Sequence, residues 1–126
     1  MSPIIKYLGK WWEPEYNCWD LVRTYYELEF GIVLPPHPIS VSNAVRQAEL
    51  QVSSELAGEF VWEETQDPRW GDVALFGKKG VRFHVGVMLD RSTVLHLPEN
   101  TPSCAVPVSR LKTSFDSVTF YRHSNT

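Results

Sequence analysis

The stretch Val81-Arg82-Phe83-His84-Val85-Gly86-Val87-Met88-Leu89, followed by Asp90-Arg91-Ser92 and Thr93-Val94-Leu95-His96-Leu97, decides the fold. Every odd position from 81 to 89 is apolar, the period of two that predicts a half-buried β-strand. Asp90-Arg91-Ser92 turns the chain and Thr93 to Leu97 returns antiparallel. Loop length sets the register of such a hairpin. A two-residue loop at Asp90-Arg91 would set His96 opposite Val85, on the wrong face. A three-residue loop sets His96 opposite Gly86, with His84 its diagonal neighbour on the same face, ~7–8 Å away between backbones and within reach of long side chains. The apolar register therefore predicts two imidazoles that share a face. Gly86 weakens a strand interior and marks close approach of another group to the backbone.

Upstream, Trp70-Gly71-Asp72 leads into the short apolar run Val73-Ala74-Leu75-Phe76, and Gly77-Lys78-Lys79-Gly80 is a turn. Downstream, Cys104–Val108 and Ser117–Tyr121 fit further strands. From Phe60 onward the chain thus reads as an antiparallel meander. Before it the period is helical: from Cys18, the residues Leu21, Val22, Tyr25 and Leu28 fall on one face, with Asn17 at the N-cap and Gly31 at a left-handed stop. Pro35-Pro36-His37-Pro38 interrupts regular structure. A second helix follows Ser40 or Ser42, burying Val41, Ala44, Val45, Ala48 and Val52 and ending at Gly58. Helices first and a sheet second is the α+β class.

The chain has 126 residues, 43% hydrophobic and 21% charged, with a net charge of −3. That length makes one domain, 1–126, and the composition excludes disordered and fibrous classes. No apolar run approaches the ~18 residues of a membrane span. No basic stripe offers a surface to nucleic acid. Met1 to Tyr7 has no apolar stretch after a basic one, so no secretory signal is expected. Two cysteines, Cys18 and Cys104, are too few for a disulfide scaffold.

Cys18 lies in the first turn of the expected helix, where unpaired amides and the macrodipole stabilise a thiolate. A small apolar residue on a buried face is the competing reading. With His84 as base and His96 as the group that orients it, Cys18 completes the logic of a nucleophilic triad. A zinc site on Cys18, His84 and His96 is the weaker alternative, because neither Cys-x-x-Cys nor His-x-x-x-His is present, and no metal or other cofactor is expected. Cys104 reads as structural. His37 and His123 read as surface groups, and Glu63-Glu64 and Lys78-Lys79 as solvated faces.

Four segments in order, Asn17-Cys18-Trp19-Asp20-Leu21-Val22-Arg23, Gly71-Asp72-Val73-Ala74-Leu75-Phe76, His84-Val85-Gly86-Val87 and Val94-Leu95-His96, resemble the NlpC-type cell-wall cysteine peptidases. The resemblance runs from about Tyr7 to Leu111. It implies a papain-like fold, N-terminal helices packed on an antiparallel β-sheet, and hydrolysis of amide bonds in peptidoglycan stem peptides. It makes Cys18 the nucleophile, His84 the general base, His96 the orienting residue, and Tyr7, or else Tyr16, the tyrosine beside the oxyanion. The family usually reads Asp-Cys-Ser-Gly. Asn17, Trp19 and Asp20 replace the acid, serine and glycine, which argues against a substrate with a free N-terminal alanine.

The Cys-Trp-x-Leu-Val-Arg form is most similar to domains in the tail-tip proteins of long-tailed phages. That likeness implies a place in the virion tail tip, with other tail proteins as partners, and action at the cell wall. A structural tail-tip component without catalysis, and an amidase or acyltransferase on the same scaffold, are the alternatives. The chain carries sixteen aromatic residues, five of them tryptophan. Phe30, Phe76, Phe83 and Phe120 fall in expected core elements. Trp11, Trp12, Trp19 and Trp70 gather near the nucleophile segment and the strand before His84, as walls of a cleft. Asn17, Trp19, Asp20 and Trp12 are the expected substrate contacts.

Overall fold

A side chain that satisfies the orphan amides of a first turn starts a helix where it stands, and Asn17 does this. Its Oδ1 accepts from the amides of Trp19 at 3.1 Å and Asp20 at 3.4 Å, while Asp20 Oδ2 accepts from the Asn17 amide at 3.0 Å. This reciprocal capping box opens helix α1, Cys18–Phe30. Gly31 closes it at φ 67° and ψ 22°, and the Gly31 and Ile32 amides donate back to the carbonyls of Glu27 and Tyr26. Both predicted ends of the helix are therefore met.

The structure is a computed structural model that describes residues 4–13, 16–34, 62–78 and 81–126. The proline break at 35–38, the second helix expected after Ser40 or Ser42 and the tip of the Lys79-Gly80 turn lie outside the described residues. A short 3₁₀ helix, Ile4–Tyr7, precedes α1. The strands are β1 (Trp62–Thr65), β2 (Val73–Lys78), β3 (Val81–Met88), β4 (Thr93–His96), β5 (Cys104–Pro107) and β6 (Ser117–His123), with one helical turn, α2 (Val108–Leu111), between the last two. No helix among the described residues is long and apolar enough to cross a membrane.

All strand pairs are antiparallel, in the order β1-β6-β2-β3-β4-β5. The fold is α+β, as expected, but the sheet is a meander only from β2 to β5. Strand β6 returns to the free side of β2, and β1 pairs outside it through Trp62↔His123. That pairing carries β6 two residues beyond the expected Tyr121.

Sheet burial also differs from the half-buried expectation. Val73, Leu75, Val85, Val87, Leu95 and Tyr121 face α1, whose Cys18, Trp19, Leu21, Val22, Tyr25 and Tyr26 are all buried against them. The opposite face carries Ala74, Phe76, Met88, Val94 and Val106 and is covered by Val108 and Leu111 of α2, with Phe115, Val118 and Phe120 half-buried beside them. Both faces are thus apolar, which explains the unbroken run Val73–Phe76. His84 and Met88, at even positions of β3, lie inside as well.

One irregularity falls beside the candidate site. Phe76 pairs with His84 but Gly77 pairs with Arg82, so β3 bulges by one residue at Phe83. Bulges re-aim the residues next to them, and here the neighbour is a histidine.

Candidate active site

The hairpin register places the two imidazoles. Asp90 Oδ1 accepts from the amides of Ser92 and Thr93, both at 2.8 Å, which fixes the three-residue turn. The pairs Met88↔Val94, Val87↔Leu95 and Gly86↔His96 follow. His84 Nε2 and His96 Nδ1 then stand 2.8 Å apart, the rings edge to face at 84°. Gly86 permits this. A Cβ there would lie 2.6 Å from Val94 Cγ2, 2.8 Å from the Leu95 carbonyl oxygen and 3.2 Å from His96 Cβ. The close approach expected at Gly86 is that of β4.

Both rings are almost fully buried, His84 at 8% exposure and His96 at 4%. Phe115 stacks parallel to the His84 ring at 5.5 Å, and Phe76 lies at 5.9 Å. Burial, then the neighbouring His96, push the His84 pKa down to about 3. Burial alone pushes His96 down to about 4. Near neutral pH both are neutral imidazoles. His96 engages Nε2 of His84, which leaves Nδ1 as the ring nitrogen that His96 does not touch.

Cys18 is the first residue of α1 and is 7% exposed. The β3–β4 ladder ends at Gly86↔His96, and one step beyond, the Val85 amide hydrogen-bonds the Cys18 sulfur. The Trp19 amide acts on it in the same direction. The sulfur therefore sits on the residue next to His84. No hydrogen bond joins Cys18 to His84 among the described contacts. The predicted lowering of the thiol pKa is reversed: burial outweighs the backbone amides and pushes it up to about 11. The helix terminus acts in the expected direction, but desolvation of a thiolate is the larger effect. At rest the Cys18 thiol and the His84 imidazole are both neutral.

The other expected site residues scatter. Trp19 is 1% exposed and belongs to the core under α1, so it forms no cleft wall. Asn17 and Asp20 hold the capping box, and Asp20 Oδ1 also accepts from Arg23 at 3.1 Å. Trp12 packs half-buried on the edge of the same core. Tyr7 is turned toward the far end of α1, where its hydroxyl donates to Glu29 at 2.5 Å and its ring meets Tyr25. Burial and then the Glu29 carboxylate hold that hydroxyl far above the ordinary tyrosine range. Some ~16 Å of helix axis separates Glu29 from Cys18. Tyr16 donates to Thr24. Trp70 packs at a tilt on Phe30 and donates to the Tyr25 hydroxyl at 2.8 Å, also away from Cys18. Trp11, 59% exposed, is the tryptophan most open to solvent among those described.

His123 is buried edge-on against Trp62 rather than solvated, because β1 covers it. Among the described residues no group of three His, Cys, Asp or Glu side chains is placed to hold a metal ion. Sequence reasoning missed two neighbours of the histidines. Cys104 stands opposite His96 in the β4–β5 ladder, its sulfur 3.5 Å from His96 Nε2. The irregular chain between the two strands leaves that register open in the sequence. Phe115 comes from a loop with no periodicity to announce it.

A sequence profile described as the NlpC/P60 family matches residues 7–122, nearly the whole chain. No curated protein matches the chain.

Proposed function

The chain belongs to the NlpC/P60 family, typically cysteine peptidases of the cell wall, and we propose that it is an endopeptidase cleaving amide bonds within peptidoglycan stem peptides. Residues 1–126 act in this reading as one catalytic domain. Cys18 is the nucleophile, His84 the base and His96 the group that orients it. The observation that carries the reading is the 2.8 Å contact of His84 Nε2 with His96 Nδ1, one residue from the amide that holds the Cys18 sulfur.

The chemistry follows from those positions. Substrate entering the site brings its carbonyl carbon to the sulfur, and the thiol proton passes to His84 Nδ1. The sulfur bonds to the carbonyl carbon, and the oxyanion faces the Cys18 amide at the start of α1. His84 returns the proton to the departing amine as the C–N bond breaks, leaving a thioester. Water, deprotonated by His84, then cleaves the thioester and restores the thiol. Because the resting pair is neutral, the proton moves during attack rather than before it.

The segment Cys18-Trp19-Asp20-Leu21-Val22-Arg23 supports a finer reading, a component of a long-tailed phage tail tip that is assembled in the host cytoplasm with other tail proteins and opens the cell wall. The test is incubation of wild-type and Cys18→Ala protein with defined muropeptides, products read by mass spectrometry. The bond broken also separates an endopeptidase from an amidase or acyltransferase. A second reading, a structural tail-tip component without catalysis, is favoured by the raised thiol pKa. Turnover distinguishes them: stem-peptide fragments released by the wild type and lost in Cys18→Ala favour the enzyme, and no release by a folded wild-type protein favours the structural component.

A further inference from the structure

Two neutral imidazoles joined by one hydrogen bond can share their protons in two directions, and only one makes His84 a base. In the first, His84 Nε2–H donates to His96 Nδ1. His96 then carries its proton on Nε2 and needs an acceptor there, while His84 Nδ1 keeps a bare lone pair for the Cys18 proton. In the second, His96 Nδ1–H donates to His84 Nε2. His84 then carries its proton on Nδ1 and can take no other. What stands at His96 Nε2 decides between them.

Cys104 stands there. Its sulfur is 3.5 Å from Nε2, held by the directly opposed pair His96↔Cys104 at the start of β5. Ser103, one residue earlier, is pinned by four hydrogen bonds to the segment 7–10, so the strand start is anchored. Neither cysteine is in a disulfide. We propose that Cys104 is a positioning residue: its sulfur accepts the His96 Nε2 proton and so holds the His84–His96 pair in the direction that leaves His84 Nδ1 free. Burial pushes the Cys104 thiol pKa up, with the charge of Arg110 opposing it, so the acceptor is a neutral thiol sulfur with its lone pairs available. The inference deepens the peptidase reading and rests on it for its catalytic meaning, but the proton positions can be read without any substrate.

The test is long-range ¹⁵N–¹H NMR of the imidazole nitrogens in the full chain at neutral pH, which reports which nitrogen of each ring is protonated. The expected wild-type result is a proton on Nε2 of both His84 and His96. In Cys104→Ala and Cys104→Val the acceptor is gone, and the ratio of Nε2–H to Nδ1–H on His84 falls by about three- to tenfold, the worth of one hydrogen bond. Turnover of muropeptides falls with it in kcat, with KM unchanged. A wild-type His84 protonated on Nδ1, or a ratio unchanged in both variants, overturns the proposal. A wild-type protein with the expected tautomers and no turnover sinks the peptidase reading instead, leaving the positioning geometry standing.

Discussion

Replacing Gly86 with alanine is the smallest change that strikes the histidine pair through the backbone. The added Cβ would lie 2.8 Å from the Leu95 carbonyl oxygen and 2.6 Å from Val94 Cγ2, where ordinary contact begins at 3.4 Å. Val94 Cγ2 is the end of a side chain and can turn aside. The Leu95 oxygen is backbone of β4 and cannot yield alone. Overpacking of this kind costs about 1–3 kcal/mol. A stiffer unfolded chain returns about 0.4–1 kcal/mol. The net loss is about 1–2 kcal/mol, which lowers Tm by about 4–8 °C in a chain of this size.

To reach ordinary contact β4 must withdraw by about 0.6 Å, the difference between the two distances above, and His96 goes with it. Its 2.8 Å bond to His84 stretches to about 3.4 Å, beyond hydrogen-bond range. Activity should therefore fall more than stability does. Gly31→Ala is the control. Gly31 sits at φ 67° with nothing within 4 Å of a Cβ, so the change costs about 1 kcal/mol in backbone strain at the other end of α1. Urea unfolding and muropeptide hydrolysis measure both variants. A Gly86→Ala protein as stable and active as wild type refutes the reasoning. So does an equal loss of activity in Gly31→Ala.

Three further outcomes follow from the same contacts. His84 and His96 have folded pKa values of about 3 and about 4, below the ordinary 6.5, so the unfolded chain binds protons first. Their contribution is whole above pH 6.5 and is lost as pH falls toward 4 and then 3. Urea unfolding at pH 7 and pH 5 should show stability falling on acidification, with a shallower fall in His84→Phe; equal stability at both pH values contradicts the burial argument. Arg122→Ala removes the fork that grips buried Asp72 at 3.0 and 2.8 Å, leaving the Arg69 amide on that carboxylate. The loss should be about 3 kcal/mol, the low end for a buried ion pair because Arg122 is part-exposed, and calorimetry reads it. Trp19→Ala should cost about 3–5 kcal/mol in unfolding free energy, as a core residue does, where a cleft wall would cost little.

The hairpin was the most legible part of the sequence because three constraints agree there: alternation in β3, a turn whose length Asp90 sets, and a glycine at the crossing point. Together they place His96 opposite Gly86 before any coordinates are known. Both ends of α1 were legible for a similar reason, since Asn17 and Gly31 act on backbone within a few residues. Long-range choices were not. Strand β6 pairs on the far side of β2, an option that its own alternation does not distinguish from an outer edge.

Trp19 reads as a cleft residue only while α1 is imagined to bury one narrow stripe. In the fold Cys18, Trp19, Leu21, Val22, Tyr25 and Tyr26 are all covered, because the helix meets the sheet and also the cluster holding Tyr7 and Leu34. The same cover explains the thiol. Helix position predicts a lowered pKa, and only the three-dimensional burial shows desolvation winning. Tyr7 misled in another way, since proximity in sequence said nothing of the Glu29 carboxylate that holds its hydroxyl.

The central claim is that Cys18 is the nucleophile of a cell-wall peptidase. Purified peptidoglycan incubated with wild-type and Cys18→Ala protein, with released stem-peptide fragments counted by mass spectrometry, tests it most directly. Fragments from the wild type and none above background from Cys18→Ala are the predicted result. Equal release from the two proteins contradicts the account.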